Sequence, residues 1–239
     1  MGNLSNGEVV LLKKRFEKSE PEAILKWALE KFHPEIALAS SFSAEDNVLI
    51  DMLCRISSKP RIFTLDTGRL NQETYDVMEA IREKYGIEIE VYFPQAAAIE
   101  KIVKEHGVNL FYRSAELRML CCRVRKVEPL GRALSGLKAW ITGLRKEQSF
   151  ARASLEKVEI DTVNGGIVKI NPLADWSYDE VWSYIRRNNV PYNILYEKGY
   201  TSIGCAPCTR AISPGEDPRA GRWWWEQRSA RECGLHCRR

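Results

Sequence analysis

A chain of 239 residues, with 44% hydrophobic and 28% charged residues and a formal charge of +4, can bury a core as one large domain or as one domain with an appendage. No apolar run approaches membrane-spanning length, and the polar start from Met1 to Asn6 lacks a signal-peptide pattern. Seven cysteines, an odd number, do not make a secreted disulfide framework at this length, so a reducing cytoplasm is the expected compartment.

Residues 8–18 and 21–32 read as amphipathic helices. Ile24, Leu25, Ala28, Leu29 and Phe32 recur at helical spacing, and Pro21 sits where a first-turn proline belongs. Residues 36–39 form a short apolar run that reads as a buried strand, followed by the hydroxyl-rich loop Ser40-Ser41-Phe42-Ser43. Ser43-Ala44-Glu45-Asp46 has capping-box spacing and opens an apolar helix through Leu53, with Cys54 expected on its core face. The rhythm repeats: strand 61–65 ending in Asp66-Thr67-Gly68, helix 71–85, strand 88–93, helix 96–106. The cysteine pair Cys121-Cys122 opens a helical region at 123–134, and residues 139–142 read as a fourth strand leading into a polar loop at 143–149. Residues 157–162 and 167–170 flank Asn164-Gly165-Gly166 as a hairpin, and Ser177 to Glu180 is a second capping box that starts a helix through Arg187. Alternating strands and helices predict an α/β fold, a parallel twisted sheet with helices on both faces. In such sheets ligands bind beyond the carboxyl ends of the strands, where Ser40 to Ser43 and Asp66 to Gly68 fall. The expected division is a main domain over residues 1–215 and a C-terminal segment over 216–239.

Four cysteines fall into two tight pairs, Cys121-Cys122 and Cys205-Ala206-Pro207-Cys208, with no histidine close by. An all-thiolate, four-coordinate centre means a cluster or zinc. Adjacent side chains diverge and reach one small ion only with strain, which favours a 4Fe–4S cluster over zinc. The loop after the first strand can hold an anion at a helix N-terminus, although a plain capped helix fits it equally well. Arg145 and Arg152 could clamp a phosphate or lie solvated. Arginines crowd the end of the chain, at 219, 222, 228, 231, 238 and 239, which suits an anionic ligand, with a nucleic-acid surface as the competing reading. Trp223-Trp224-Trp225 cannot all face one way, so at least one belongs to the core. Cys233, in Glu232-Cys233-Gly234-Leu235-His236, is a candidate reactive thiol, and Cys237 reads as incidental.

Taken together, Ser41-Phe42-Ser43-Ala44-Glu45-Asp46, Leu65-Asp66-Thr67-Gly68-Arg69, Cys121-Cys122 with Arg125-Lys126, Gly143-Leu144-Arg145 with Gln148-Ser149, Cys205 to Cys208, Arg222-Trp223-Trp224-Trp225-Glu226 and Glu232 to His236 resemble the iron–sulfur branch of the adenylyl-sulfate (APS) and phosphoadenylyl-sulfate (PAPS) reductase family. The match runs from about Glu35 to His236. The resemblance implies an adenine-nucleotide α-hydrolase-like fold with a modified pyrophosphate loop, and Cys121, Cys122, Cys205 and Cys208 as ligands of a 4Fe–4S cluster. It implies Cys233 as the nucleophile. It also implies substrate contacts at Ser41, Phe42, Ser43, Asp66, Thr67, Gly68, Lys126, Arg145, Arg219, Arg222 and His236. The implied reaction, part of assimilatory sulfate reduction, turns adenylyl sulfate into sulfite and AMP, with thioredoxin or glutaredoxin as a separate reductant because the chain stops at Arg239. Cluster cysteines favour APS over PAPS without setting the ratio. An RNA-thiolating enzyme would need a glycine-rich ATP loop, and a redox sensor leaves the Cys233 motif unexplained. No nucleic-acid or membrane partner is expected, and a homo-oligomer is left open.

Overall fold

The computed structural model describes residues 4–149 and 152–226. The chain divides into two compact units, one of Met1–Phe63, Asp76–Glu90 and Gly136–Asn193, the other of Thr64–Tyr75, Val91–Ser135 and Ile194–Arg239. In the first unit, α1 spans Asn6–Phe16, starting earlier than its apolar spacing suggests because Ser5 caps it. The Ser5 hydroxyl accepts from the Glu8 N–H at 3.3 Å, and the Glu8 carboxylate accepts from the Ser5 N–H at 2.8 Å. Helix α2, Pro21–Phe32, buries Ile24, Leu25 and Ala28 as its spacing requires. Strand β1, Ile36–Ser40, leads into α3, Ala44–Ile56, which is buried from Ala44 through Leu53. Each large aliphatic side chain so enclosed contributes roughly 1.5–3 kcal/mol.

The remaining strands of the sheet are β2 (Ile62–Leu65), β3 (Glu90–Tyr92), β4 (Ala139–Ile141), β5 (Val158–Asp161) and β6 (Ile167–Ile170), in the order β3-β2-β1-β4-β6-β5. Strands β1, β4 and β6 run parallel, with Ala37 opposite Trp140 and Trp140 opposite Lys169. The edge strand β5 pairs antiparallel with β6, closing the expected hairpin through Gly165 and Gly166, both at positive φ. The sheet is therefore mostly parallel, in an α/β, adenine-nucleotide α-hydrolase-like architecture. Helix α4, Gln72–Tyr85, crosses from the second unit into the first, and α8, Tyr178–Asn188, carries the predicted Ser177 and Glu180 capping box. Asp51 of α3 ties these helices together. It accepts from Tyr85 Oη at 2.8 Å, from Tyr184 Oη at 2.7 Å and from Arg55 Nε at 2.7 Å. Burial pushes its carboxyl up, but the Arg55, Tyr184 and Tyr85 donors more than offset that and hold it below the ordinary value. Cys54, expected in the core, is only half-buried, in the last turn of α3 beyond the buried run that ends at Leu53.

The second unit contains α5, Ala96–His106, and a short 3₁₀ turn at Leu110–Tyr112. The expectation that Cys121-Cys122 opens a helix is corrected here. The two cysteines close α6, Ala115–Cys122, which starts at Ser114, whose side chain accepts from the Leu117 N–H at 3.2 Å. The winding then widens into a π-helical turn, Arg123–Val127, and resumes as α7, Glu128–Leu134. Among the described residues, no helix is long and apolar enough to cross a membrane.

Candidate functional site

In the first unit the loop after β1 is shaped by one acid. Asp46, in the first turn of α3, accepts from the Ser41 N–H at 2.7 Å and from the Ser41 hydroxyl at 2.8 Å. This corrects the expected capping box: Ser43 is the N-cap residue, but its side chain makes no cap bond. A carboxylate three residues past a serine reads the same in sequence whether it turns to that serine or reaches further back. Phe42, between them, is buried with φ 56, a left-handed conformation that a bulky residue adopts only when its surroundings impose it. The loop after β4 presses close. A Cβ at Gly143 would overlap Asp46 Oδ1 and lie 3.1 Å from the Asp46 nitrogen, so glycine alone fits that approach. Arg145 is buried, and its charge is already met by Glu45 at 2.9 Å and Glu147 at 3.2 Å, with a further bond to the Trp176 carbonyl at 3.1 Å.

Burial pushes the Asp46 carboxyl up to about 6, against the downward pull of the Ser41 and Ser43 donors and with help from the neighbouring Glu45 charge. A folded value above the ordinary 3.8 means the folded chain holds this proton more tightly than the unfolded chain. The stability contributed by this group is therefore complete below about pH 4 and is lost as pH rises through about 6, a difference of about 3 kcal/mol. Asp46→Asn is expected to lose that sensitivity. In urea unfolding, the wild type should lose about 3 kcal/mol relative to the variant between about pH 4 and pH 7. A constant difference over that range would contradict the assignment.

The second unit gathers the cysteines. Cys121, Cys122, Cys205 and Cys208 are free thiols lining one cavity that opens partly to solvent. Its walls include Arg69, Arg118, Arg125, Lys126 and Arg222, with Phe111, Pro207 and Trp223 as apolar surface. Three pieces of chain hold the thiols in place. Helix α6 carries Cys121 and Cys122 at its end. Cys205 to Cys208 form a tight turn, with the Cys208 N–H donating to the Cys205 carbonyl at 2.9 Å and Pro207 in its first turn. The loop after β2 braces that turn: the Arg69 carbonyl accepts from the Ala206 N–H at 2.8 Å, and Thr67 Oγ1 lies 3.3 Å from Cys205 Sγ.

Asp66 organises the loop itself. It accepts from the Gly68 N–H at 2.7 Å and from Tyr75 Oη at 2.9 Å, and Gly68 takes the positive φ that this turn needs. Arg125, buried inside the widened turn, donates to the Thr67 carbonyl at 2.6 Å. Arg222 donates to Ser202 Oγ at 3.1 Å and stacks on Trp223, 4.7 Å from the ring centroid. A Cβ on Gly204 would lie 2.8 Å from the Arg222 guanidinium carbon, so a larger residue there would push that side chain aside. Trp223 is buried with φ 44, a strained conformation at the cavity wall. It is the core member expected of the tryptophan run, whereas Trp224 stays exposed.

The thiols feel opposing forces. Burial pushes Cys208 up to about 12, aided by the charges of Cys205 and Cys122. Burial also raises Cys121, opposed by Arg125. At Cys205 burial acts upward as well, but Lys126, the Thr67 hydroxyl, Arg222 and Arg125 together hold the thiol below its ordinary value. The cavity therefore favours negative charge on sulfur at one wall.

Of the residues named from sequence, Ser41, Phe42, Ser43 and Arg145 are thus brought together in the first unit. Asp66, Thr67 and Gly68 join Lys126, Arg222 and the four cysteines in the second. Arg219 is half-buried and does not line the cavity; its N–H donates to Asp217 and its carbonyl accepts from the Arg222 N–H. Cys233, His236 and Cys237 lie outside the described residues. Sequence reasoning missed Asp46 as the anchor of Ser41, Arg118 as a cavity wall and the bracing role of Arg125.

The structure thus defines an α/β protein with a mostly parallel sheet, whose second unit carries a thiol-lined, cation-walled cavity. Residues 35–211 match the family model for the phosphoadenosine phosphosulfate reductase domain, and the chain belongs to that family. It is 53% identical over 204 residues to the adenosine 5'-phosphosulfate reductase of Burkholderia cepacia, covering 85% of this chain and 81% of that protein. It is 56% identical over 203 residues to the adenosine 5'-phosphosulfate reductase of Allochromatium vinosum, covering 85% and 79%. Among solved structures it resembles the phosphoadenylyl-sulfate (PAPS) reductase of Candida auris in its phosphate complex, with a TM-score of 0.76 and 31% identity over 88% of this chain and 99% of that one.

Proposed function

We propose that this chain reduces adenylyl sulfate to sulfite and AMP in assimilatory sulfate reduction in the cytoplasm, with Cys233 as nucleophile and a separate thioredoxin or glutaredoxin as reductant. The observation that carries this reading is the second unit's cavity, where four thiols and five cationic side chains meet in a chain at least 53% identical to two proteins named as reductases of this substrate. The Cys233 thiolate attacks the sulfur of the sulfate–phosphate anhydride, the bond from sulfur to the bridging oxygen breaks, and AMP leaves with that electron pair. An S-sulfocysteine remains. A thiolate of the reductant then attacks Cys233 Sγ, sulfite leaves, and the reductant's second thiol resolves the mixed disulfide. The dithiol supplies both electrons, and one difficult reduction becomes two displacements. Lys126, Arg145, Arg219, Arg222 and His236 are the cations of this reading. Ser41, Phe42, Ser43, Asp66, Thr67 and Gly68 form the loops that hold the nucleotide.

Cys121, Cys122, Cys205 and Cys208 are proposed to hold a 4Fe–4S cluster. The donor set fits: four thiols of one kind surround a volume with no carboxylate or imidazole among the described residues of its walls. Among the described residues no three His, Cys, Asp or Glu side chains converge on a single ion, and a polynuclear cluster needs thiols spread around it rather than meeting at a point. The buried Arg125 Nε and Trp223 Nε1, on side chains lining the cavity, have no acceptor among the described residues, which suits an electron-rich occupant. Such a cluster would fix the two cysteine segments and set the field beside the sulfate.

The likeness to a PAPS reductase supports a second reading, in which the 3′-phosphorylated nucleotide is also turned over. One experiment separates these possibilities. Anaerobic incubation with ³⁵S-labelled adenylyl sulfate and no reductant, followed by mass mapping, is expected to place the label on Cys233. The 3′-phosphorylated substrate should label it far more slowly. Label on another residue, or on none, would overturn the mechanism.

A further inference from the structure

The chain that leads to Cys233 leaves the described part of the second unit at Glu226, and Glu226 is held there by a buried clasp. Arg118 Nε donates to Glu226 Oε1 at 2.9 Å and Arg118 Nη2 donates to Oε2 at 3.0 Å, a two-pronged pair with side-chain exposures of 1% and 6%. Arg118 sits three and four residues before Cys121 and Cys122 on α6, hence on the same helix face. Its guanidinium also reaches the Cys122 thiol and stacks 4.6 Å from the Trp223 ring centroid, a ring that Arg222 also stacks on at 4.7 Å. A guanidinium fixed by a cysteine, an aromatic ring and a carboxylate has one orientation.

We infer that Arg118 and Glu226 are positioning residues for the reaction, setting the point and direction from which the Cys233 segment departs. This rests on the reading of Cys233 as nucleophile. Cys233 lies seven residues beyond Glu226, so anchoring there limits its reach to about 25 Å. Trp225, one residue earlier, is itself held, its Nε1 donating to the Phe111 carbonyl at 3.2 Å, so the clasp shortens the tether by a single residue. Its effect is directional, because a thiolate must approach the sulfur in line with the leaving oxygen.

The test is single-turnover labelling of the holoenzyme with adenylyl sulfate, comparing wild type with Glu226→Gln and Arg118→Lys. Glu226→Gln is expected to slow S-sulfocysteine formation at saturating nucleotide by about tenfold or more. Nucleotide Kd should stay within about twofold, with visible cluster absorbance retained and Cys233 alkylation by iodoacetamide without nucleotide unchanged. Arg118→Lys keeps the charge but loses the fork, and should fall between the two. Wild-type labelling rates in Glu226→Gln would overturn the inference. So would a loss that merely follows nucleotide affinity or cluster content in both variants, which is what a purely structural pair would give. If the wild type itself carries no label on Cys233, the assignment of the nucleophile fails first and the inference goes with it.

Discussion

Serine in place of Cys233 is expected to abolish sulfite release while leaving adenylyl sulfate binding and the brown colour of the cluster intact. The expectation follows from what each group does. The four thiols that line the cavity belong to α6, capped by Ser114, and to the Cys205 turn, braced by the Arg69 carbonyl. The loops proposed to contact the nucleotide are each fixed within their own unit, one by Asp46 and the other by Asp66. A hydroxyl at position 233 would keep the shape but not the nucleophile, since serine is far less ionised and less polarisable than a thiolate near neutral pH. Rate and affinity should separate completely: no product by sulfite assay, and unchanged binding by calorimetry or filter retention. Loss of binding in the variant would count against the nucleophile and in favour of a structural role for that cysteine.

Lys126→Ala should reduce turnover by about 10- to 150-fold, which corresponds to one charge-assisted bond to a sulfate oxygen of roughly 1.5–3 kcal/mol. Lys126 is half-buried in the cavity wall and, after burial, has the strongest influence on the Cys205 thiol, so its charge is felt inside the cavity. If the charge acts mainly on the transition state, kcat and kcat/KM fall together and thermal stability barely moves. Lys126→Arg should recover part of the loss by restoring charge. Wild-type turnover in the alanine variant would remove the electrostatic role.

The repeating strands and helices were legible because each carries its own pattern. Residues of α2 bury at helical spacing, the hairpin announces itself with Asn164-Gly165-Gly166, and α5 runs over the predicted residues. The cysteine segment was less legible. Its helix starts at Ser114, but α6 is only eight residues long, too short for periodicity to declare itself, and the π-helical turn behind it has no sequence signature. Arg145 shows another limit. An arginine in a loop at a strand end reads as a ligand for phosphate, and only the fold reveals that Glu45, a hundred residues earlier, already lies against it. Asp46 was visible as an acid at a helix start, but its partner was set by the loop's left-handed turn at Phe42, which spacing cannot encode.

The π-helical turn at Arg123–Val127 amounts to one surplus residue in an otherwise regular spiral. Excising a single residue there would let the backbone relax to ordinary winding with the helices on either side kept in phase, so the change would fall on the side chains inside the turn, each shifted by up to about 100° around the axis. Arg125 would then turn away from Thr67, and Lys126 would turn out of the cavity. A deletion of one amino acid, with every cysteine still present, should therefore be as damaging as losing the lysine itself.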